Sequence, residues 1–282
     1  MDLCNEKDIR ALLGRHGFRF SKSMGQNFLI EGWVPRDIAE ASGAGPDTGV
    51  LEIGPGIGPL TVQLARRAAK VAAIELDRTL YPILAETLAP YPNAEVVPGD
   101  AMKLDLAALV SDKFSGLTVI ACANLPYNIT TPVLTALIEA GCFASITVMI
   151  QREVALRICA APGSSDYGAF SVFCQYHTQP ELLFEVGPEC FLPAPAVIRL
   201  VPRSAPPQNL VDESFFFQVV RASFAQRRKT LLNGLSSAFG SRLSKDALRG
   251  AIESAGLPAD IRGERLGIPE FATLASALQN RL

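Results

Sequence analysis

Leu51-Glu52-Ile53-Gly54-Pro55-Gly56-Ile57-Gly58-Pro59-Leu60-Thr61 joins a short apolar run to an amphipathic one through three alternating glycines. Val50 to Ile53 reads as a buried strand. Pro59 to Ala69 reads as a helix, with Leu60, Leu64 and Ala65 on one face. Glycines between a strand and a helix let a ligand approach the backbone closely. The spacing G-x-G-x-G departs from the dinucleotide fingerprint G-x-G-x-x-G, and Pro55 removes an N–H that a pyrophosphate would use. The turn therefore suits a nucleoside without phosphate, such as S-adenosylmethionine. The plain alternative is a tight turn with no ligand.

Outward from this turn, strands and helices alternate. Val71 to Ile74 is the next strand, and Thr79 to Leu88 the next helix, with Pro82 tolerated in its first turn. Val96-Val97 precedes Gly99-Asp100, and the apolar run Leu117 to Ala123 ends in Asn124-Leu125-Pro126-Tyr127. Pro132 to Glu139 is helical, and Ala144 to Ile150 is another apolar strand. Such alternation predicts a doubly wound α/β fold with a parallel sheet covered on both faces. Prolines at 188, 193, 195, 202, 206 and 207 then mark a boundary. Beyond it Asp212 to Gly234, Ser244 to Gly256 and Pro269 to Asn280 have helical spacing, with Asp212 and Ser244 as caps. The expected organisation is a Rossmann-like domain over residues 1–200 and a small all-α domain over 201–282.

Ligands of open α/β sheets bind at the C-terminal ends of the strands, so the residues there are the candidates. Glu75, closing the second strand, suits the hydroxyls of a ribose, while Asp77 suits a helix cap. Asp100 suits an adenine amine, or merely a turn. At the fourth strand end, the Asn124 oxygen and the Leu125 or Pro126 carbonyl suit the two hydrogens of an amine on a flat ring. Tyr127 offers that ring a stacking face. Lys22-Ser23-Met24-Gly25-Gln26-Asn27-Phe28-Leu29 suits a segment closing over a cofactor, or a loop packed on the sheet.

Composition narrows the class. Apolar residues at 49% and charged residues at 19% are those of a folded protein. No apolar stretch reaches the ~20 residues of a membrane helix, and the acidic start Met1 to Glu6 is unlike a targeting signal. A cytoplasmic location is expected. Six scattered cysteines without a C-x-x-C pair, and only two histidines, predict no metal site. The net charge of −2 conceals an asymmetry. Residues 31–195 carry nine Lys/Arg against eighteen acids, whereas residues 196–265 carry eleven against six. A basic C-terminal part suits a polyanionic partner.

Taken in order, these segments resemble the 16S ribosomal RNA adenine dimethyltransferases, relatives of the erythromycin-resistance 23S rRNA methyltransferases and of the mitochondrial dimethyltransferase/transcription factors. The resemblance spans GQNFL, EIGPGIGPLT, IELD, GDA, NLPYNITTPV, QREVALRI, Asp166-Tyr167-Gly168, FLPAP and the run Phe224 to Lys229. It implies two methyl transfers from S-adenosylmethionine to each of two neighbouring adenosines in a hairpin near the 3′ end of 16S rRNA, in the 30S subunit or its precursor. It also implies cofactor contacts at Gln26, Asn27, Leu29, Gly54, Gly56, Glu75, Asp100, Ala101 and Asn124. Base contacts would fall at Asn124, Leu125, Pro126, Tyr127 and Phe191, with Phe191 as a second stacking face. Arg221, Arg227, Arg228 and Lys229 are expected on a helix face meeting RNA phosphates, and the protein is expected to act as a monomer without membrane or metal.

One departure stands out. Pro195 runs directly into Ala196-Val197-Ile198-Arg199-Leu200-Val201, where the family pattern has a further short Lys-Val-x-Ser-like stretch. The expectation is a mobile loop missing between Pro195 and Ala196, tested by whether the chain is continuous there. Other readings are a 23S rRNA methyltransferase of the macrolide-resistance type, a non-catalytic assembly factor and a DNA adenine methyltransferase. A nicotinamide dehydrogenase is disfavoured by the glycine turn and by the lack of a placed His or Lys acid.

Overall fold

The computed structural model describes residues 1–18, 31–187, 195–208, 210 and 212–282. Gln26, Asn27, Leu29 and Phe191 lie outside the described residues. The elements run α1 (Glu6–Arg15), α2 (Trp33–Ala41), β1 (Thr48–Ile53), α3 (Pro59–Ala65), β2 (Lys70–Glu75), α4 (Tyr81–Leu88), β3 (Ala94–Pro98), α5 (Leu106–Lys113), β4 (Thr118–Asn124), α6 (Thr130–Glu139), β5 (Ile146–Gln151), α7 (Arg152–Cys159), α8 (Ala169–His177), β6 (Thr178–Glu185), β7 (Pro195–Pro202), α9 (Glu213–Phe224), α10 (Leu231–Phe239), α11 (Lys245–Ser254) and α12 (Ile268–Gln279).

The seven strands form one sheet in the order β3-β2-β1-β4-β5-β7-β6. β1, β2, β3, β4 and β5 pair in parallel; β1, β2, β4 and β5 are largely buried apolar runs, whereas β3, at the sheet edge, is only half-buried. The sheet is mixed, because β7 pairs antiparallel with β5. That pairing also corrects the expected missing loop. Gln151↔Pro195 and Ile150↔Ala196 are successive register partners, so Pro195 and Ala196 follow one another on β7 with no loop between them. Proline is tolerated at Pro195 because it is the first residue of its strand.

Two compact units divide the chain: Met1–Ala155 with Pro180–Pro202, and Leu156–Gln179 with Arg203–Leu282. The division differs from a single cut at residue 200, since α8 and most of the segment before it belong to the helical unit. The reason is packing. Tyr167, Val172 and Tyr176 share a buried cluster with Phe216 and Val219 of α9, Leu235 of α10, Ile252 of α11 and Phe271 of α12. In the sheet unit Val34 and Ile38 of α2 and Leu60 and Leu64 of α3 cluster with Val50, Ile120, Met149 and Val197. A second cluster joins Leu12 of α1 to Ile57, Ile83 and Leu84.

Asp212 caps α9 through Phe215 N (2.8 Å) and Ser244 caps α11 through Ala247 N (3.1 Å), as the sequence predicts. The predicted helix from Asp212 to Gly234 is instead two helices, broken over residues 225–230. Arg227, Arg228 and Lys229 thus sit in an interhelical turn, not on a helix face. Among the described residues no helix is long and apolar enough to cross a membrane, and no three metal-ligating side chains are grouped.

Candidate active site

Because β3, β2, β1 and β4 are adjacent and parallel, their C-terminal ends form one row. Along that row stand Asp100, Glu75, the glycine turn and Asn124. Strand order reverses at β1, which is flanked by β2 and β4, and crevices open at such switch points. Four stretches lying 17 to 25 residues apart in sequence are thereby brought to one edge.

Gly54 and Gly56 have φ of 70° and 61°, the left-handed region, and an added Cβ at either meets nothing within 4 Å. Open space on that side is what a close-lying ligand needs. Gly58, with φ of 94°, differs: its Cβ would meet Thr87 Oγ1 at 3.2 Å, so it serves packing. Glu75 is buried and accepts hydrogen bonds from Asp77 N (2.8 Å) and Gly56 N (3.3 Å), which fixes its carboxylate against the turn. Burial raises its pKa, and the backbone donors of Asp77 and Gly56 act in the opposite direction. Asp77 caps the turn Arg78–Leu80, accepting from Thr79 N at 2.9 Å.

Asp100 closes a tight turn by accepting from Met102 N (3.0 Å), and its other oxygen lies 3.7 Å from Lys103 Nζ. Ala101 follows it in that turn. Asn124 is half-buried, and its side-chain amide has no hydrogen-bond partner among the described residues. The Pro126 carbonyl accepts from Ile129 N (3.2 Å) and from Thr130 Oγ1 (3.1 Å). The Leu125 carbonyl has no such donor among the described residues, while Leu125 N donates to Met149 O (3.1 Å). Of the two carbonyls left open by the sequence, that of Leu125 is the one without a donor among the described residues. Tyr127 is half-buried, which raises its pKa.

Three residues that sequence reasoning passed over belong to this edge. Leu76, directly after Glu75, is 60% exposed, and Met102 is 43% exposed. For Leu76 the available signal was an apolar residue immediately after a strand-end acid. The third is Glu52 on β1, which is fully buried and whose burial pushes its pKa up to about 8.

The basic loop divides. Arg227 Nη2 donates to the carbonyl oxygens of Ser165 and Tyr167, and its Nε lies 3.4 Å from Glu264. Arg221, Arg228 and Lys229 are exposed, with no ion-pair partner among the described residues.

Fold and strand-end row together define the Rossmann-like methyltransferases, which use S-adenosylmethionine. Within that class the chain belongs to the ribosomal RNA adenine dimethylase family, whose model matches residues 17–255. It is 46% identical to ribosomal RNA small subunit methyltransferase A of Geobacillus thermodenitrificans, over 98% of this chain and 97% of that one. It is 45% identical to the enzyme of that name from Alkaliphilus metalliredigens, over 96% of each. Among solved structures, the 23S rRNA methyltransferase ErmE superposes with a TM-score of 0.66 at 25% identity, covering 90% of this chain and all of that one. A dimethyladenosine transferase from Plasmodium falciparum superposes at 0.72 and 23% identity, covering 90% and 98%, and bears on the fold alone.

Proposed function

We propose that this protein transfers methyl groups from S-adenosylmethionine to the N6 amines of adenosines in small-subunit ribosomal RNA. Two transfers would fall on each of two neighbouring adenosines in a hairpin near the 3′ end of 16S rRNA. The observation that carries this is the Asn124 amide beside the Leu125 carbonyl, both without a hydrogen-bond partner among the described residues, on the same sheet edge as the open glycine turn.

The residues present fit the cofactor: two glycines leave space along the backbone, and a buried acid closes the neighbouring strand. Gly54, Gly56, Glu75, Asp100 and Ala101 would hold it, together with Gln26, Asn27 and Leu29, and Leu76 and Met102 would offer apolar contacts to its base. When bound it supplies an electrophilic methyl group carried on a sulfonium. The adenine amine is a weak nucleophile because its lone pair is delocalised into the ring. In the first transfer Asn124 Oδ1 and the Leu125 carbonyl would accept its two hydrogens and turn the lone pair out of conjugation, and in the second one of them would hold the single hydrogen that remains. Tyr127 and Phe191 hold the ring by its faces. The nitrogen lone pair would form the N–C bond as the donor's S–C bond breaks and leaves a neutral thioether, and the nitrogen would then lose its extra proton to solvent. The chain's contribution is position and polarisation.

Methyl transfer from labelled cofactor to undermethylated 30S particles, 50S particles and duplex DNA tests the reading. Label is expected on 30S alone. Label confined to 50S would establish the macrolide-resistance type, which the weaker likeness to ErmE disfavours. No label on any substrate would leave the assembly-factor reading. The protein is proposed to act as a monomer in the cytoplasm.

Arg221, Arg228 and Lys229 are proposed to meet RNA phosphates, whereas Arg227 holds the loop at Ser165–Tyr167. Replacing Arg228 and Lys229 by Gln should lower the slope of log affinity against log salt by roughly 1–2. Arg227→Gln should instead lower stability, by about 1–2 kcal/mol, and leave most of that slope. Salt titrations of RNA binding and denaturant curves separate the two effects. An unchanged slope in the double variant would remove these residues from the interface.

A further inference from the structure

Glu52 has a place in the site that the proposed chemistry does not use. It lies on β1 two residues before Gly54, is 1% exposed, and stands in register between Ala73 of β2 and Cys122 of β4. Among the described residues its Oε2 has no hydrogen-bond partner. Thr61, in the first turn of α3, is near enough to favour the carboxylate, yet its own buried hydroxyl completes no bond of good geometry. The titratable groups acting on Glu52 are Glu75 from the end of β2 and Cys122 from β4. Among the described residues no Lys, Arg or His contributes a compensating charge. A carboxyl buried in this way stays neutral in the free protein. For stability alone an apolar side chain would serve better there.

We propose that Glu52 is the residue by which the site distinguishes the cationic methyl donor from its uncharged product. This rests on the methyl-donor reading above. The donor carries one more positive charge than the product, because the sulfonium becomes a neutral thioether when the methyl leaves. A cation held over the glycine turn favours ionisation of Glu52, which gives up its proton to solvent in a fraction of the molecules as the donor binds. The neutral product gives no such drive, so Glu52 keeps its proton. By reciprocity, ionised Glu52 tightens the donor and leaves the product alone. The product is thereby released in preference at each turnover.

Titration calorimetry of the full chain with S-adenosylmethionine and with S-adenosylhomocysteine, at pH 6 and pH 9, reads this without turnover. Two buffers of different ionisation enthalpy report the protons released. For the wild type, donor affinity should rise about tenfold relative to product affinity across that range, with proton release on donor binding near pH 7.5. Glu52→Gln should lose that rise and hold the donor at the wild-type pH 6 level, with product affinity unchanged. Glu75 and the ligands' own amines titrate alike in both proteins, so the difference between them isolates Glu52. The same pH dependence in wild type and variant overturns the proposal. Should the variant bind no product through misfolding, absence of proton release in the wild type would itself overturn it. A wild type that binds neither ligand fails the methyl-donor reading instead.

Discussion

Asn124→Ala is expected to lower single-turnover methyl transfer by at least about a thousandfold, or ~4 kcal/mol of transition-state stabilisation. The side chain sits at the last residue of β4, half-buried and without a hydrogen-bond partner among the described residues. Removing it therefore orphans no buried group, and stability should change by no more than about 1 kcal/mol. The lost acceptor matters only where an amine hydrogen is to be held and its lone pair turned. RNA binding, proposed above for Arg221, Arg228 and Lys229, should stay largely intact, and product-cofactor binding should fall by less than about tenfold, one hydrogen bond's worth. Filter binding, calorimetry and rapid-quench transfer check the three quantities separately. Activity within tenfold of wild type would refute the assigned role.

Much of this site was legible in the sequence, because each of its parts ends a strand. The glycine turn, Glu75, Asp100 and Asn124 follow apolar runs. Alternation with helices puts the ends of parallel strands on the same side of a sheet. What sequence could not supply was occupancy. Pro126 offers a carbonyl as plausible as that of Leu125 until Ile129 N and Thr130 Oγ1 are seen to use it. Arg227 looks like its neighbours Arg228 and Lys229 until its guanidinium is found turned toward Ser165 and Tyr167, more than 50 residues away. The helix expected from Asp212 to Gly234 failed for a related reason: Ala225-Gln226-Arg227-Arg228-Lys229-Thr230 holds no Gly or Pro to mark a break, although the backbone there forms a turn. The direction of β7 was likewise beyond local pattern, since an apolar strand reads the same either way. Glu52 was passed over because, inside a recognised motif, a strand acid looks like part of the motif. Only its burial and unpartnered oxygen set it apart.

That buried acid also makes the ligand-free protein's stability depend on pH in a definite sense. The Glu52 carboxyl has its pKa pushed up to about 8 by burial, from an ordinary value of 4.5. Between these values the folded chain keeps a proton that the unfolded chain has released. Its contribution to stability is therefore full below about pH 4.5 and falls as pH rises, by about 1.4 kcal/mol per pH unit. The loss is complete above about pH 8, where both states are ionised. Glu52→Gln preserves the shape of the neutral carboxyl and cannot ionise. Wild type and variant should have similar denaturant midpoints at pH 5, with the variant ahead by a few kcal/mol at pH 9. Groups common to both, Glu75 among them, cancel in the comparison. Parallel stability–pH curves would mean that water reaches Glu52 in the folded state, and that its charge is already screened. Diverging curves would show that the folded protein gives up stability at neutral pH to keep an ionisable group beneath the glycine turn. Such a sacrifice is what sensing the charge of a ligand requires, because a carboxyl fully compensated by the protein would have nothing left to exchange with the donor.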